Sequence, residues 1–222
     1  PGEEGGNSVA DILTGKVNPS GKLTMTWPVS ATDHPSTKNF PQEMDNYTFR
    51  EALGWGAQIP GHDYTNHEED IYVGYRYFDS FNKNVAYPFG YGLSYTTFEY
   101  SKPAVKVNGD NIIVNVTVKN TGKVAGKEIA QVYVAAPQGK IEKPTHELKG
   151  FAKTRELKPG ESQVLTIQMA KRDLASFDEA NSRWLTEAGT YTFEIGASSR
   201  DIRGTANVNL TEYTEQVSNV LA

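Results

Sequence analysis

The sequence predicts a mainly β protein, a two-sheet sandwich preceded by a linker and one helix–strand unit, and three observations predict it. From about Tyr91 onward, short alternating apolar runs follow one another, separated by residues suited to turns. Ahead of them, residues 3–15 carry the spacing of a single amphipathic helix, with one strand-like run behind it. Twenty glycines and eleven prolines punctuate the chain, which suits many short strands and argues against a long helical bundle.

The opening helix is read from Val9, Ile12 and Leu13, which fall at i, i+3 and i+4. Glu3 and Glu4 stand at its start, where carboxylates complement the positive end of the helix dipole, and Gly15 is placed to end it. The turn Asn18-Pro19-Ser20-Gly21 leads into a strand-like run, Lys22 to Trp27, closed by Pro28. One helix and one strand bury too little apolar surface to offset their ordering entropy. Residues 1–30 are therefore expected to be the last α/β unit of a domain whose sheet lies elsewhere.

Residues 31–90 read as an irregular linker rich in Pro, Gly, Asn, His and Tyr, of the kind that is functional or draped over another domain. Within it, Phe49 to Leu53 suits a turn or two of helix. The run Asp70 to Phe78 alternates like a strand with aromatics on both sides.

The sandwich is expected over residues 91–213, followed by a tail at 214–222. Its seven strands are predicted at Thr97–Val107, Asn111–Asn120, Glu128–Ala136, Leu148–Leu157, Ser162–Met169, Thr190–Ala197 and Thr205–Leu210. The chain has no cysteine, which favours a fibronectin type III-like sandwich over the disulfide-bridged immunoglobulin version. Ile112, Val114, Val116 and Val118 share one face, as do Tyr191, Phe193 and Ile195. Ile129, Val132 and Val134 break phase, so the third strand needs a bulge or burial on both faces.

Several function classes are excluded at this level. A net charge of −5 and a pI near 5.5 do not provide the clustered basic face that nucleic acid requires. No uninterrupted apolar stretch is long enough to span a bilayer. Without cysteine there are no disulfides, thiolate metal sites or cysteine nucleophiles. The run from His62 to Asp70 is rich in potential ligands, but His62 and His67 are spaced as in neither a helical zinc motif nor a calcium loop, so no metal is assigned. Glu3 and Glu4, adjacent on a helix, point in different directions and cannot flank one bond. Sequons stand at Asn46, Asn115 and Asn209, with Asn115 expected on the solvent side of a strand.

The longer words of the chain carry more. Gly2-Glu3-Glu4-Gly5-Gly6 with Ala10-Asp11-Ile12-Leu13-Thr14-Gly15, then Asn18-Pro19-Ser20-Gly21-Lys22-Leu23, then Trp27-Pro28 open the series. Glu69-Asp70-Ile71-Tyr72-Val73-Gly74-Tyr75-Arg76-Tyr77-Phe78-Asp79 and Pro88-Phe89-Gly90-Tyr91-Gly92-Leu93-Ser94-Tyr95-Thr96 follow. The sandwich adds Asn120-Thr121-Gly122, Gln131-Val132-Tyr133-Val134, Glu147-Leu148-Lys149-Gly150-Phe151 and Gly196-Ala197-Ser198-Ser199-Arg200-Asp201-Ile202. In this order, over residues 1 to about 205, the chain resembles the C-terminal portion of family-three glycoside hydrolases of the β-glucosidase type. Roughly 31–67 share no motif with the family.

The resemblance implies a barrel, then an α/β sandwich domain, then a fibronectin type III-like domain. It implies retaining hydrolysis of terminal β-D-glucosyl bonds by an Asp nucleophile and a Glu acid/base. Both would lie on upstream domains, so no catalytic residue is expected here, and the chain alone is expected to be inactive. The implied partners are those upstream domains and a β-linked oligosaccharide or aryl β-glucoside; no cofactor is implied, and a homo-oligomer is left open. Secretion or a periplasmic location is an analogy only.

Trp55, on the Gly-flanked loop Leu53-Gly54-Trp55-Gly56, is the candidate substrate-side residue, because sugars stack their C–H faces on aromatic rings. The alternative use of Trp55 is to anchor the linker. Tyr64 is a second candidate of the same kind. Arg76 and Arg200 are expected in buried ion pairs, and Gly90, Gly92 and Gly196 at backbone positions that a side chain would obstruct. A competing reading is a free-standing carbohydrate-binding sandwich with an exposed aromatic strip; most tyrosines lie at 47–100, outside the sandwich, which counts against it.

Overall fold

The computed structural model describes residues 2–38 and 67–218. Helix α1 runs Gly5–Leu13 and ends as Gly15 takes φ +76°, the left-handed conformation glycine adopts freely. None of its residues is buried. Leu13 is 76 % exposed, Val29 68 %, Met25 60 % and Val9 55 %, so the apolar face of this opening unit is bare.

The run after it is less of a strand than its pattern predicts. Only β1, Trp27–Pro28, forms a ladder, antiparallel to β2, Val85–Tyr87. Upstream, Leu23 exchanges backbone hydrogen bonds with Gly90 and Tyr91 at 2.8 Å each. A strand forms only where a neighbour takes its hydrogen bonds, and residues 22–27 meet no longer edge than this.

A second correction concerns residues 70–78. The alternating aromatics are not a strand: Gly74 turns the chain at φ +59°, and α2 runs Tyr75–Ser80. Tyr75, Phe78 and Asp79 fall at i, i+3 and i+4, the helical period hidden beneath the alternation. Phe78 is fully buried, and Tyr75 stacks on Phe89 with ring centroids 4.6 Å apart.

Beyond these lies the sandwich. Strands β3, Phe98–Tyr100, and β4, Ala104–Asn108, pair with successive stretches of β5, Asn111–Asn120. The sequence reads β3 and β4 as one strand; Pro103, with no N–H to donate, lies at the break. The first strands of the other sheet follow as β6, Ile129–Ala135, and β7, Glu147–Lys153. Then β8, Ser162–Ala170, pairs with the other side of β5. Two short strands, β9 at Ser176–Asp178 and β10 at Arg183–Thr186, precede the long hairpin of β11, Gly189–Ser198, and β12, Asp201–Leu210. The order β12-β11-β6-β7 completes the second sheet.

The core forms where the predicted faces meet. Ile112, Val114 and Val116 lie opposite Met169, Ile167 and Leu165, while Phe193 and Ile195 lie opposite Val134 and Val132. All are buried in one cluster with Val118 and Tyr191. At about 1.5–3 kcal/mol for each large apolar side chain, this cluster dominates the stability of the chain. The phase break in β6 has both anticipated causes. Its register against β7 shifts between Val132 and Tyr133, and its outward residues Gln131 and Tyr133 are buried as well. Tyr75 of α2 covers that outer face, edge-on to Tyr133.

One sheet escaped the sequence. β9, β10 and β13, Tyr213–Gln216, form a three-stranded sheet in the order β13-β10-β9. Strands of three or four residues are too short to show alternation. β13 also runs past residue 213, where the sequence places the end of the sandwich.

Candidate functional site

The described residues concentrate their buried polar chemistry where the linker and the opening unit meet the sandwich. At the first junction His146, just ahead of β7, stands between two carboxylates from different elements. Its Nδ1 lies 2.7 Å from Glu194 Oε2 on β11, and its Nε2 lies 3.3 Å from Asp79 Oδ2 on α2. The other oxygen of Asp79 accepts from Arg200 Nε at 2.6 Å, and Arg200 Nη2 donates to the carbonyls of Phe78 and Lys83.

The electrostatics follow from that geometry. Burial opposes charge on His146, but hydrogen bonds to Asp79 and Glu194 outweigh it, and the imidazole is pushed up to about 9. Burial likewise opposes charge on Asp79, yet His146 and Arg200 hold its carboxyl below the usual range. Near neutral pH the arrangement is an imidazolium bridging two carboxylates, a bond between helix and sheet. Both oxygens of Asp79 are engaged, one by His146 and one by Arg200, while Glu194 commits Oε2 to the imidazole.

Tyr75 Oη accepts from Leu148 N at 2.8 Å, and burial raises its phenol. Burial also pushes up Tyr133, whose hydroxyl donates to Gln131 Oε1 at 2.6 Å. Gln131 Nε2 in turn donates to the carbonyls of Gly90 and Ala197, at 3.1 and 2.8 Å. Gly90 has φ +79°, and a Cβ there would collide with the Gln131 side chain, so glycine is required on both counts.

The second junction explains the word Asn18-Pro19-Ser20-Gly21-Lys22. Asn18 Nδ2 donates to Ala125 O at 2.9 Å, and its Oδ1 accepts from Ser94 Oγ and Tyr95 N. Tyr95 Oη reaches back to Ile12 O at 2.7 Å. Lys22 Nζ pairs with Glu128 Oε1 at 2.8 Å, both side chains largely buried. Gly92 lies so close to Gly21 O that any side chain there would collide with it. The partners across the junctions are distant in sequence, so no local pattern marks these residues; Asn18, Lys22 and Gln131 stand in the shared words, whereas Glu128 and His146 fall just outside them.

Comparison with known proteins gives this geometry its context. Residues 1–95 match the glycosyl hydrolase family 3 C-terminal domain, and residues 128–199 match the fibronectin type III-like domain. The chain belongs to glycosyl hydrolase family 3. It is 43% identical to β-glucosidase A of Butyrivibrio fibrisolvens over 99% of this chain and 27% of that protein. It is likewise 43% identical to an exo-α-(1→6)-L-arabinopyranosidase of Bifidobacterium breve, over 94% of this chain and 25% of that protein. The structure of β-glucosidase 3B from Thermotoga neapolitana in complex with glucose matches with a TM-score of 0.86 and 46% identity, covering 97% of this chain and 28% of that one. The chain thus spans about a quarter of the length of the relatives it matches.

Within this family 3 chain the sequence-marked residues fall as follows. Trp55 and Tyr64, with His62, Asn46 and the turn at 49–53, lie outside the described residues. Glu4 precedes α1 and accepts from Asn7 Nδ2 at 2.6 Å, while Glu3 is exposed. His67 pairs with Glu69 at 3.2 Å, and among the described residues no cluster of three His, Asp or Glu side chains is placed to hold a metal ion. Arg200 pairs with Asp79, and Arg76 with Glu147 at 3.4 Å; both tie linker to sandwich but are half-exposed rather than buried. Asn115 is half-buried and accepts from Thr166 Oγ1 at 2.7 Å, and Asn209 accepts from Thr190 Oγ1 at 2.6 Å. No helix among the described residues is long and apolar enough to cross a membrane.

Proposed function

We propose that this chain is the C-terminal part of a retaining glycosidase that hydrolyses terminal β-D-glucosyl bonds, with its catalytic Asp and Glu on domains that precede it. The observation that carries this reading is the bare apolar face of the opening unit. Val9, Leu13, Met25 and Val29 are exposed on a segment whose sequence is that of the family 3 C-terminal domain, while Asn18 and Lys22 bind the same unit firmly to the sandwich. Such a face is built to pack on more protein, and the relatives are enzymes about four times longer, consistent with upstream domains of the same enzyme. In this reading residues 1–30 end the α/β domain and residues 31–90 form the linker. Residues 91–213 are the buttressing sandwich, and 214–222 are the tail. Trp55 and Tyr64 on the linker supply an edge of the substrate pocket.

The test is hydrolysis of aryl β-D-glucoside and aryl α-L-arabinopyranoside by the complete enzyme and by this 222-residue chain. The complete enzyme is expected to prefer the glucoside and to release the β-anomer first, as followed by proton NMR. A preference for the arabinopyranoside would overturn the glucosyl assignment and leave the glycosidase reading standing. Turnover by the isolated chain would overturn the placement of the catalytic pair.

A further inference from the structure

The small sheet that the sequence pattern conceals builds a cleft, and we propose that this cleft is a non-catalytic binding site for a neutral gluco-oligosaccharide. The ligand class rests on the glycosidase reading above; the site itself rests on geometry. The cavity has a volume of about 750 Å³ and opens between the linker, the 140–149 segment and the β9–β10 ribbon. That volume lies within the usual range of small-molecule sites.

Its aromatic floor is a cross-strand pair. Phe177 on β9 faces Trp184 on β10, with ring centroids 5.2 Å apart at 63°. Among the described residues Phe177 is 41 % exposed, while Trp184 is half-buried. The guanidinium of Arg172 lies 4.0 Å from the Trp184 ring centre and is itself held by Glu215 at 2.9 Å, so the indole is fixed in place. A pyranose ring presents a flat array of C–H groups, and an exposed, immobilised aromatic ring is the surface such an array stacks on.

The opposite wall offers groups for hydroxyls. Lys140 and Glu142 are exposed there, and Glu179, directly after β9, is exposed on the ribbon side of the cleft. Glu142 uses one oxygen to accept from Tyr72 Oη at 2.6 Å and keeps lone pairs free. The loop that carries this wall is already ordered. Glu187 accepts from Lys140 N at 2.8 Å and pairs with the buried Lys143, which also donates to Ile141 O. A ligand entering here loses little to ordering the protein, which is what lets a shallow site bind at all. Carboxylates and an ammonium of mixed sign favour a neutral polyol over a strongly charged ligand, and Phe177 selects a ligand with an apolar face.

The experiment is titration of the isotope-labelled 222-residue chain with cellotetraose, followed by amide chemical shifts. Saturable shifts are expected at residues 70–71, 140–142 and 172–184, with a dissociation constant of about 1 mM. Phe177→Ala is expected to weaken binding roughly tenfold by removing the stacking surface, and Glu179→Gln about threefold. Both side chains are exposed, and retained amide dispersion confirms that each variant folds. Absence of saturable shifts, or shifts at this cleft that both substitutions leave unchanged, would overturn the proposal. The glucoside assay separates the two readings. If the complete enzyme hydrolyses glucosides but the cleft does not respond to cellotetraose, the surface site alone fails. If the cleft binds but the enzyme cleaves no glucoside, the hydrolase reading fails and the site stands.

Discussion

The sandwich and the opening unit carry similar apolar side chains to opposite ends. In the sandwich, Ile112, Val114, Phe193 and Ile195 are wholly buried against one another. In the opening unit Val9, Leu13 and Met25 face outward, and what holds the unit in place is polar: Asn18, Tyr95 and the Lys22–Glu128 pair. The first region contains its own reason to fold. The second is held by polar contacts to the first while its apolar side chains stay outward, so the same residue types carry different weight in the two places.

The largest effect is expected from Phe193→Ala. Truncating a fully buried aromatic leaves a cavity between the sheets and should cost about 3–5 kcal/mol of unfolding free energy. Denaturant unfolding at pH 7 measures it; a loss below about 1 kcal/mol would mean that the sandwich is not the unit governing stability.

The junction between linker and sandwich should respond to pH, with a sign fixed by its groups. His146 is raised from an ordinary value of 6.5 to about 9, so its contribution is fully present below pH 6.5 and is lost as pH rises through 9. Asp79 is lowered, so its contribution is present above its ordinary value of 3.8 and is lost as pH falls through the depressed one. Docking of α2 is therefore strongest between about pH 4 and 6.5 and weakens by on the order of 3 kcal/mol by pH 10. Hydrogen exchange at residues 75–80 across that range tests the window. His146→Gln should flatten the alkaline fall and shrink the acid limb to the part that Arg200 alone sustains; an unchanged profile would remove His146 as its cause.

A step smaller, Asn18→Ala removes three hydrogen bonds that join the opening unit to the sandwich, and should raise local opening of α1 by about 1–2 kcal/mol. The global unfolding midpoint should barely move. Equal loss of protection in β5 and α1 would mean that the two regions unfold as one.

This division also explains what could be read in advance. Strand β5 was legible to the residue because its apolar side chains alternate against a core the chain itself supplies, and α1 was legible from the spacing of Val9, Ile12 and Leu13. The segment 70–78 was misread because aromatics at 75, 77 and 78 serve both periods, and only the turn at Gly74 settles which one wins. The junctions were opaque for another reason. Asn18 meets Ala125 across 107 residues of sequence and His146 meets Asp79 across 67, and pairings at that separation leave no periodic trace. β9, β10 and β13 were too short to register, although they carry the Phe177–Trp184 pair that floors the cleft.

The smallest effect sharpens the comparison most. Leu13→Ser sits on α1 where the side chain is almost wholly exposed, and in this chain it should change stability by no more than about 0.5 kcal/mol. In the complete enzyme the same substitution should cost about 2 kcal/mol or more, because a leucine that packs on a neighbouring domain loses its burial and leaves a hydroxyl against an apolar wall. Thermal unfolding of both proteins measures the difference between the two costs, and that difference is the quantity of interest. If Leu13→Ser is as mild in the complete enzyme as in the chain, the opening unit does not pack through this face. The contrast with the sandwich would then reduce to tolerated exposure rather than an interface.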